Sequence, residues 1–249
     1  MSKRATTRAI RLLASVRDAD EAVRAAGGGA DIIDCKDPAA GALGALGADV
    51  VHRIRASVPA QIPVSATIGD LASEPGPVAR AVREMAAAGA DLVKVGFFGG
   101  GDARATIAAL AGLDLDARRV VGVLIADRTP DLSLVAAMGR AGFAAVMLDT
   151  ADKASPALPE LVNDAFLSAF LERARRAGLL VGLAGSLRLR HIPPLLALAP
   201  DVLGFRGALC HNEDRQAELD PQSMARVRAA IPPAGQDAWL GRPDEEQAR

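Results

Sequence analysis

Apolar residues in this chain come in short bursts, such as Leu12-Leu13-Ala14, Ile32-Ile33, Leu92-Val93, Val120-Val121, Val146-Met147-Leu148 and Leu179-Leu180-Val181. Between them run longer stretches in which Ala, Val and Leu recur at helical spacing among Arg and Glu, most closing on Gly. The bursts predict strands at 10–16, 31–36, 64–68, 91–95, 120–125, 144–148, 179–184 and 202–205. The intervening stretches predict helices at 19–26, 48–57, 78–88, 104–111, 132–141, 161–177, 192–198 and 221–230. One turn is nearly repeated in wording: Ala26-Gly27-Gly28-Gly29-Ala30-Asp31, Ala88-Gly89-Ala90-Asp91, Ala141-Gly142-Phe143-Ala144 and Ala177-Gly178-Leu179. Each reads as a helix end, a glycine cap and the start of a strand.

Strands that are continuously apolar and alternate with helices belong to a parallel sheet covered on both faces. Eight such units predict a closed (β/α)8 TIM barrel. An open doubly wound sheet would begin with a Gly-rich nucleotide fingerprint, and no G-x-G-x-x-G follows the first strand. The pattern fades after Pro232, so one barrel domain over 1–235 and a loosely held tail over 236–249 are expected.

Charge narrows the partners. The 249 residues carry 29 basic and 30 acidic side chains, a net charge of −1, and only 3% aromatics, which offers nothing to a phosphate backbone, stacked bases or anionic lipid. No nucleic acid and no membrane partner is expected. The basic segment 1–11 is followed by too short an apolar run for a signal sequence, so a cytoplasmic protein is expected. Barrels of this size often assemble through their outer helices, and a homo-oligomer is expected on that ground. Cys35 and Cys210 lack metal-knuckle spacing and read as small buried apolar residues. His52, His191 and His211 are scattered, and no metal site is expected.

The basic residues are 25 arginines and only four lysines: Lys3, Lys36, Lys94 and Lys153. A chain that uses arginine almost everywhere keeps lysine where an amine's chemistry is wanted, because a guanidinium is neither nucleophile nor proton carrier near neutrality. Three of the four lysines fall where a barrel keeps its reacting groups, at the C-terminal ends of strands. Lys36 ends the second strand, Lys94 comes late in the fourth, and Lys153 follows the sixth. Asp34 shares a strand face with Lys36, and Asp149 closes the sixth strand. Because alternate strands supply common interior layers, Lys36, Lys94 and Asp149 are expected to face one another across the mouth. Three lysines with two carboxylates suit carbonyl chemistry on an anionic substrate. Gly185-Ser186 after the seventh strand and Arg206-Gly207 after the eighth lie where this fold seats phosphate, and Ser65 and Thr67 alternate toward the mouth along the third strand.

Five segments occur in order: Gly28-Gly29-Ala30-Asp31-Ile32-Ile33-Asp34-Cys35-Lys36-Asp37-Pro38, Val64-Ser65-Ala66-Thr67-Ile68-Gly69-Asp70, Val93-Lys94-Val95-Gly96, Met147-Leu148-Asp149-Thr150-Ala151-Asp152-Lys153 and Leu183-Ala184-Gly185-Ser186-Leu187. Together they resemble the (5-formylfuran-3-yl)methyl phosphate synthase family of methanofuran biosynthesis, over residues 12–215. The resemblance implies a (β/α)8 barrel that joins two molecules of glyceraldehyde 3-phosphate with loss of phosphate and water and without an organic cofactor. It places the Schiff-base lysine on Lys36, its neighbouring acid on Asp34, a proton-transfer lysine on Lys94, and a further acid and lysine on Asp149 and Lys153. Two other readings remain at this point: a Schiff-base aldolase or isomerase acting on another phosphosugar, and a barrel that binds a phosphorylated metabolite without turnover.

Overall fold

The computed structural model of the protein describes residues 10–115, 119–152 and 156–232. Eight parallel strands close into a barrel in chain order: β1 (Arg11–Val16), β2 (Ile32–Cys35), β3 (Val64–Thr67), β4 (Leu92–Phe97), β5 (Arg119–Ile125), β6 (Ala145–Asp149), β7 (Leu180–Leu183) and β8 (Val202–Phe205). The circle is sealed by pairing of β1 with β8, Leu13 beside Gly204. Around it lie α1 (Ala19–Gly27), α2 (Ala48–Ser57), α3 (Pro75–Ala87), α4 (Ala103–Ala111), α5 (Leu134–Arg140), α6 (Leu158–Leu161), α7 (Asp164–Arg176), α8 (Ile192–Ala197) and α9 (Pro221–Ala230). The barrel expected from the hydrophobic pattern is the one observed. Among the described residues no helix is long and apolar enough to cross a membrane. The tail expected over 236–249 lies outside the described residues.

The caps explain where helices begin. Asp18, Asp102 and Asn163 each accept a backbone N–H from three residues on, and Asp220 accepts those of Gln222 and Ser223. Asn163 also corrects the single helix expected over 161–177. Val162 is extended and the Asn163 side chain caps Phe166 N at 2.9 Å, so α6 ends and α7 starts afresh.

The repeated turn has a structural purpose. Its glycines at 29, 89, 142 and 178 adopt left-handed φ between 73° and 100°, the conformation that ends a helix without a Cβ clash. After the first two of these turns an aspartate ties two strands together at the N-terminal end of the barrel, and another does so before β8. Asp31 accepts Leu12 N at 2.7 Å, Asp91 accepts Val64 N at 2.8 Å, and Asp201, just before β8, accepts Val181 N at 2.8 Å. Arg228 and Arg55 neutralise the first two. This end is built for stability, which leaves the opposite end for chemistry.

Inside the barrel, Leu13, Ile32, Leu92, Val121, Val123, Met147 and Val202 form the floor. One layer above Leu180 and Val202, the seventh and eighth strands place only Gly182 and Gly204. Met147 fills part of that space, and a Cβ added to Gly182 would stand 2.6 Å from its Cγ. Above Gly204 and Ala184 the mouth stays hollow.

Candidate active site

A pocket of about 260 Å³ opens in that hollow, lined by Ser15, Asp34, Lys36, Lys94, Asp149, Gly185, Ser186, Arg206, Gly207 and Arg215 among others. Its centre is two lysine–carboxylate pairs. Lys36 Nζ lies 3.1 Å from Asp149 Oδ2, and Lys94 Nζ lies 2.7 Å from Asp34 Oδ2. All four residues are buried, Asp34 completely. They come from β2, β4 and β6 and the position just past β2, so the alternate-strand layering expected from the sequence does bring them together. Lys94 sits third in a six-residue strand rather than near its end, and its side chain spans the interior to reach Asp34.

Asp34 is held by three donors. Besides Lys94, Ser15 Oγ donates to Oδ2 at 2.9 Å and Ser65 Oγ donates to Oδ1 at 2.6 Å. A carboxylate held by three donors is fixed in orientation. Asp149 is fixed through Oδ1, which accepts the amide of Thr150 at 2.8 Å. The arrangement provides amines facing carboxylates across hydrogen-bond distance, the elements of proton transfer and carbonyl addition.

The residues expected to seat phosphate after β7 and β8 border the pocket. Gly185 and Ser186 both adopt positive φ, 106° and 51°, in the loop that borders the pocket. The amides of Gly185, Ser186 and Gly207 donate to no acceptor among the described residues and border the pocket. A Cβ on Gly185 would stand 2.8 Å from Thr150 Cγ2. Gly185→Ala is therefore expected to lower stability by about 1–3 kcal/mol, read from the denaturant midpoint, and to raise KM for a phosphorylated substrate.

Three site expectations are corrected. Ser65 binds Asp34, and Thr67 Oγ1 donates to Gly44 O at 2.8 Å, so neither hydroxyl points at the pocket for phosphate. Thr67 fastens the loop before α2 instead. Arg206, expected to fork onto phosphate, has its N–H groups occupied: Nε on Arg215 O, Nη1 on Ser15 O and Glu21, and Nη2 on Glu21 and Ala217 O. Glu21 is fully buried, so this guanidinium is a structural clamp joining α1, β8 and the segment after it. Glu21→Ala would strand a buried cation and is expected to cost about 3–5 kcal/mol in chemical unfolding. Lys153 lies outside the described residues.

Two contributors were not foreseen. Ser15 follows from strand alternation with the inward Leu13, a signal present in the sequence. Arg215 lies in a loop without periodicity and is one of 25 arginines, so nothing singled it out. Burial pushes its guanidinium below the ordinary value, and Arg206 adds to this, while Asp149 and Asp37 oppose it. Both cysteines are buried, as small apolar residues would be. Burial raises the Cys35 thiol far above its usual range, and Cys210 is pushed up to about 11, also by burial. His191 serves the fold, accepting Arg188 N at 3.0 Å and contacting Glu160, whose carboxyl is held down at about 2 by Arg190 and by His191 itself.

The model of the 4-HFC-P synthase family matches residues 12–228, nearly the whole barrel and every residue just described. The chain belongs to this family. A Methanocaldococcus jannaschii (5-formylfuran-3-yl)methyl phosphate synthase is 36% identical, with 82% of this chain and 92% of the relative covered. A Methylorubrum extorquens protein provisionally given the same name is 42% identical over 89% of this chain and 91% of its own. As a member of the (5-formylfuran-3-yl)methyl phosphate synthase family, the chain is an enzyme. Solved structures share the fold alone: 3-hexulose-6-phosphate synthase at 22% identity and TM-score 0.63, covering 89% of this chain and all of that one. Phosphoribosyl anthranilate isomerase from Thermus thermophilus gives 16% identity and TM-score 0.64, with 89% and 98% covered.

Proposed function

We propose that this enzyme condenses two molecules of glyceraldehyde 3-phosphate into (5-formylfuran-3-yl)methyl phosphate, a furan of methanofuran biosynthesis, with Lys36 as the nucleophile. The observation that carries this reading is the pair of buried amine–carboxylate contacts, Lys36 with Asp149 and Lys94 with Asp34, in one pocket bordered by Gly185, Ser186 and Gly207. The balance is simple: two trioses give one furan phosphate, one inorganic phosphate and two waters. No oxidant or reductant enters, so acid–base and addition–elimination steps suffice.

Asp149 takes a proton from Lys36, and the free amine adds to a triose aldehyde, losing water to form an iminium. The Asp34–Lys94 pair removes the proton from C2, leaving an enaminol. Its electrons shift to form a C2–C3 double bond as the C3–O bond breaks and phosphate departs with the bonding pair. C3 of the resulting enol adds to the carbonyl carbon of the second triose, after that triose has isomerised between its first two carbons by the same proton transfers. Ring closure, loss of water and hydrolysis of the iminium release the furan and restore Lys36. The second triose keeps its phosphate, for which the Gly185–Ser186 and Gly207 amides are suited.

Purified enzyme given glyceraldehyde 3-phosphate should release inorganic phosphate and furan absorbance in equal amounts. Phosphate without furan would mean elimination without condensation. Neither product would return the protein to the aldolase, isomerase or binding readings.

A further inference from the structure

A guanidinium that is half-buried at a pocket wall and unpaired is an expense a fold does not keep without a ligand. Arg215 is such a group. It lines the pocket, and among the described residues its side chain donates no hydrogen bond and makes no ion pair, the carboxylates of Asp149 and Asp37 acting on it only at longer range. The backbone that carries it is the opposite of loose. Arg206 grips Arg215 O at 2.8 Å and Ala217 O at 2.9 Å, and Arg17 grips Gln216 O at 2.8 Å. The segment is closed by a bridge between Cys210 and Leu219. Asn212 and Glu213 are held at φ of 53° and 56°, a strained conformation for residues with a Cβ. Two arginines thus give some of their donors to a turn whose arginine, the one cation among the described residues lining this pocket without a hydrogen bond or ion pair, borders the pocket near Asp149.

We propose that Arg215 binds the phosphate of the triose attached to Lys36, the phosphate that leaves. The assignment rests on the reaction proposed above and adds a second anion subsite to the backbone cradle. The division is chemical. The retained phosphate undergoes no change in bonding and suits neutral amides. The departing one gains the electron pair of the broken C3–O bond, and a forked cation stabilises that growing charge.

The test compares borohydride trapping of Lys36 by glyceraldehyde 3-phosphate and by glyceraldehyde, which has no phosphate, in wild type, Arg215→Ala and Arg215→Lys. Arg215→Ala should lower trapping by the phosphorylated triose about tenfold, leave trapping by glyceraldehyde unchanged, and lower kcat/KM about 100-fold. Arg215→Lys should recover part of both losses, since a point charge remains. Equal loss with both aldehydes, or no loss with either, overturns the proposal. If wild type traps neither aldehyde, the imine reading fails and calorimetric titration with inorganic phosphate decides the subsite alone. A Kd raised about tenfold in Arg215→Ala upholds it, and an unchanged Kd overturns it.

Discussion

Lys36→Arg is expected to leave a folded protein that neither forms a reducible adduct with glyceraldehyde 3-phosphate nor turns it over. Arginine preserves the positive charge that faces Asp149 at 3.1 Å, so the buried carboxylate keeps a partner and the loss of stability should stay within the 1–3 kcal/mol typical of overpacking. What arginine cannot supply is a free amine. Removing the nucleophile of a covalent mechanism typically removes most of the rate, and a fall of at least about 10⁴-fold in kcat is expected. Intact mass after borohydride reduction should show one triose added to wild type, mapping to the Lys36 peptide, and none added to the variant. Turnover within about tenfold of wild type would end the covalent role and move the chemistry to Lys94 and the carboxylates.

Lys94→Met should be the most destabilising of the substitutions at the site. It strands Asp34, which is fully buried and whose remaining donors are the hydroxyls of Ser15 and Ser65. Breaking a buried ion pair by removing one partner costs about 3–5 kcal/mol, because the surviving charge has lost its counter-ion but not its burial. The double variant Lys94→Met with Asp34→Leu should recover at least half of that loss, since two apolar side chains can replace a buried pair at little net cost. Both proteins should be inactive. The denaturant midpoints separate the contributions: if Lys94→Met is as stable as wild type, the pair does not bear the burial cost its geometry implies.

These two expectations concern residues that were legible before the fold was known, and the reason is compositional. With lysine nearly absent from the sequence, each remaining lysine stood out, and strand position pointed Lys36 and Lys94 to the pocket they line. Asp34 and Asp149 followed because each lies on or ends a strand already marked by its apolar run. The site residues that were misjudged, Ser65, Thr67 and Arg206, share a different property. Each can satisfy its hydrogen bonds either toward a ligand or toward the protein, and only the positions of Asp34, Gly44 and Glu21 in space decide which. The split of α6 from α7 was missed because an asparagine cap competes locally with an otherwise continuous helical pattern.

The sequence by itself determined the closed eight-stranded barrel and marked Lys36, Lys94, Asp34 and Asp149 as the residues to watch. Those features rest on period, parity and residue scarcity, all of which are local or additive along the chain. Tertiary structure alone decided which lysine meets which carboxylate, since β2, β4 and β6 are brought face to face only by closure of β1 onto β8. It alone turned Arg206 inward to a buried glutamate and left Arg215 facing the pocket. Two arginines nine positions apart are chemically identical, and what distinguishes them is which anion lies within reach once the chain has folded.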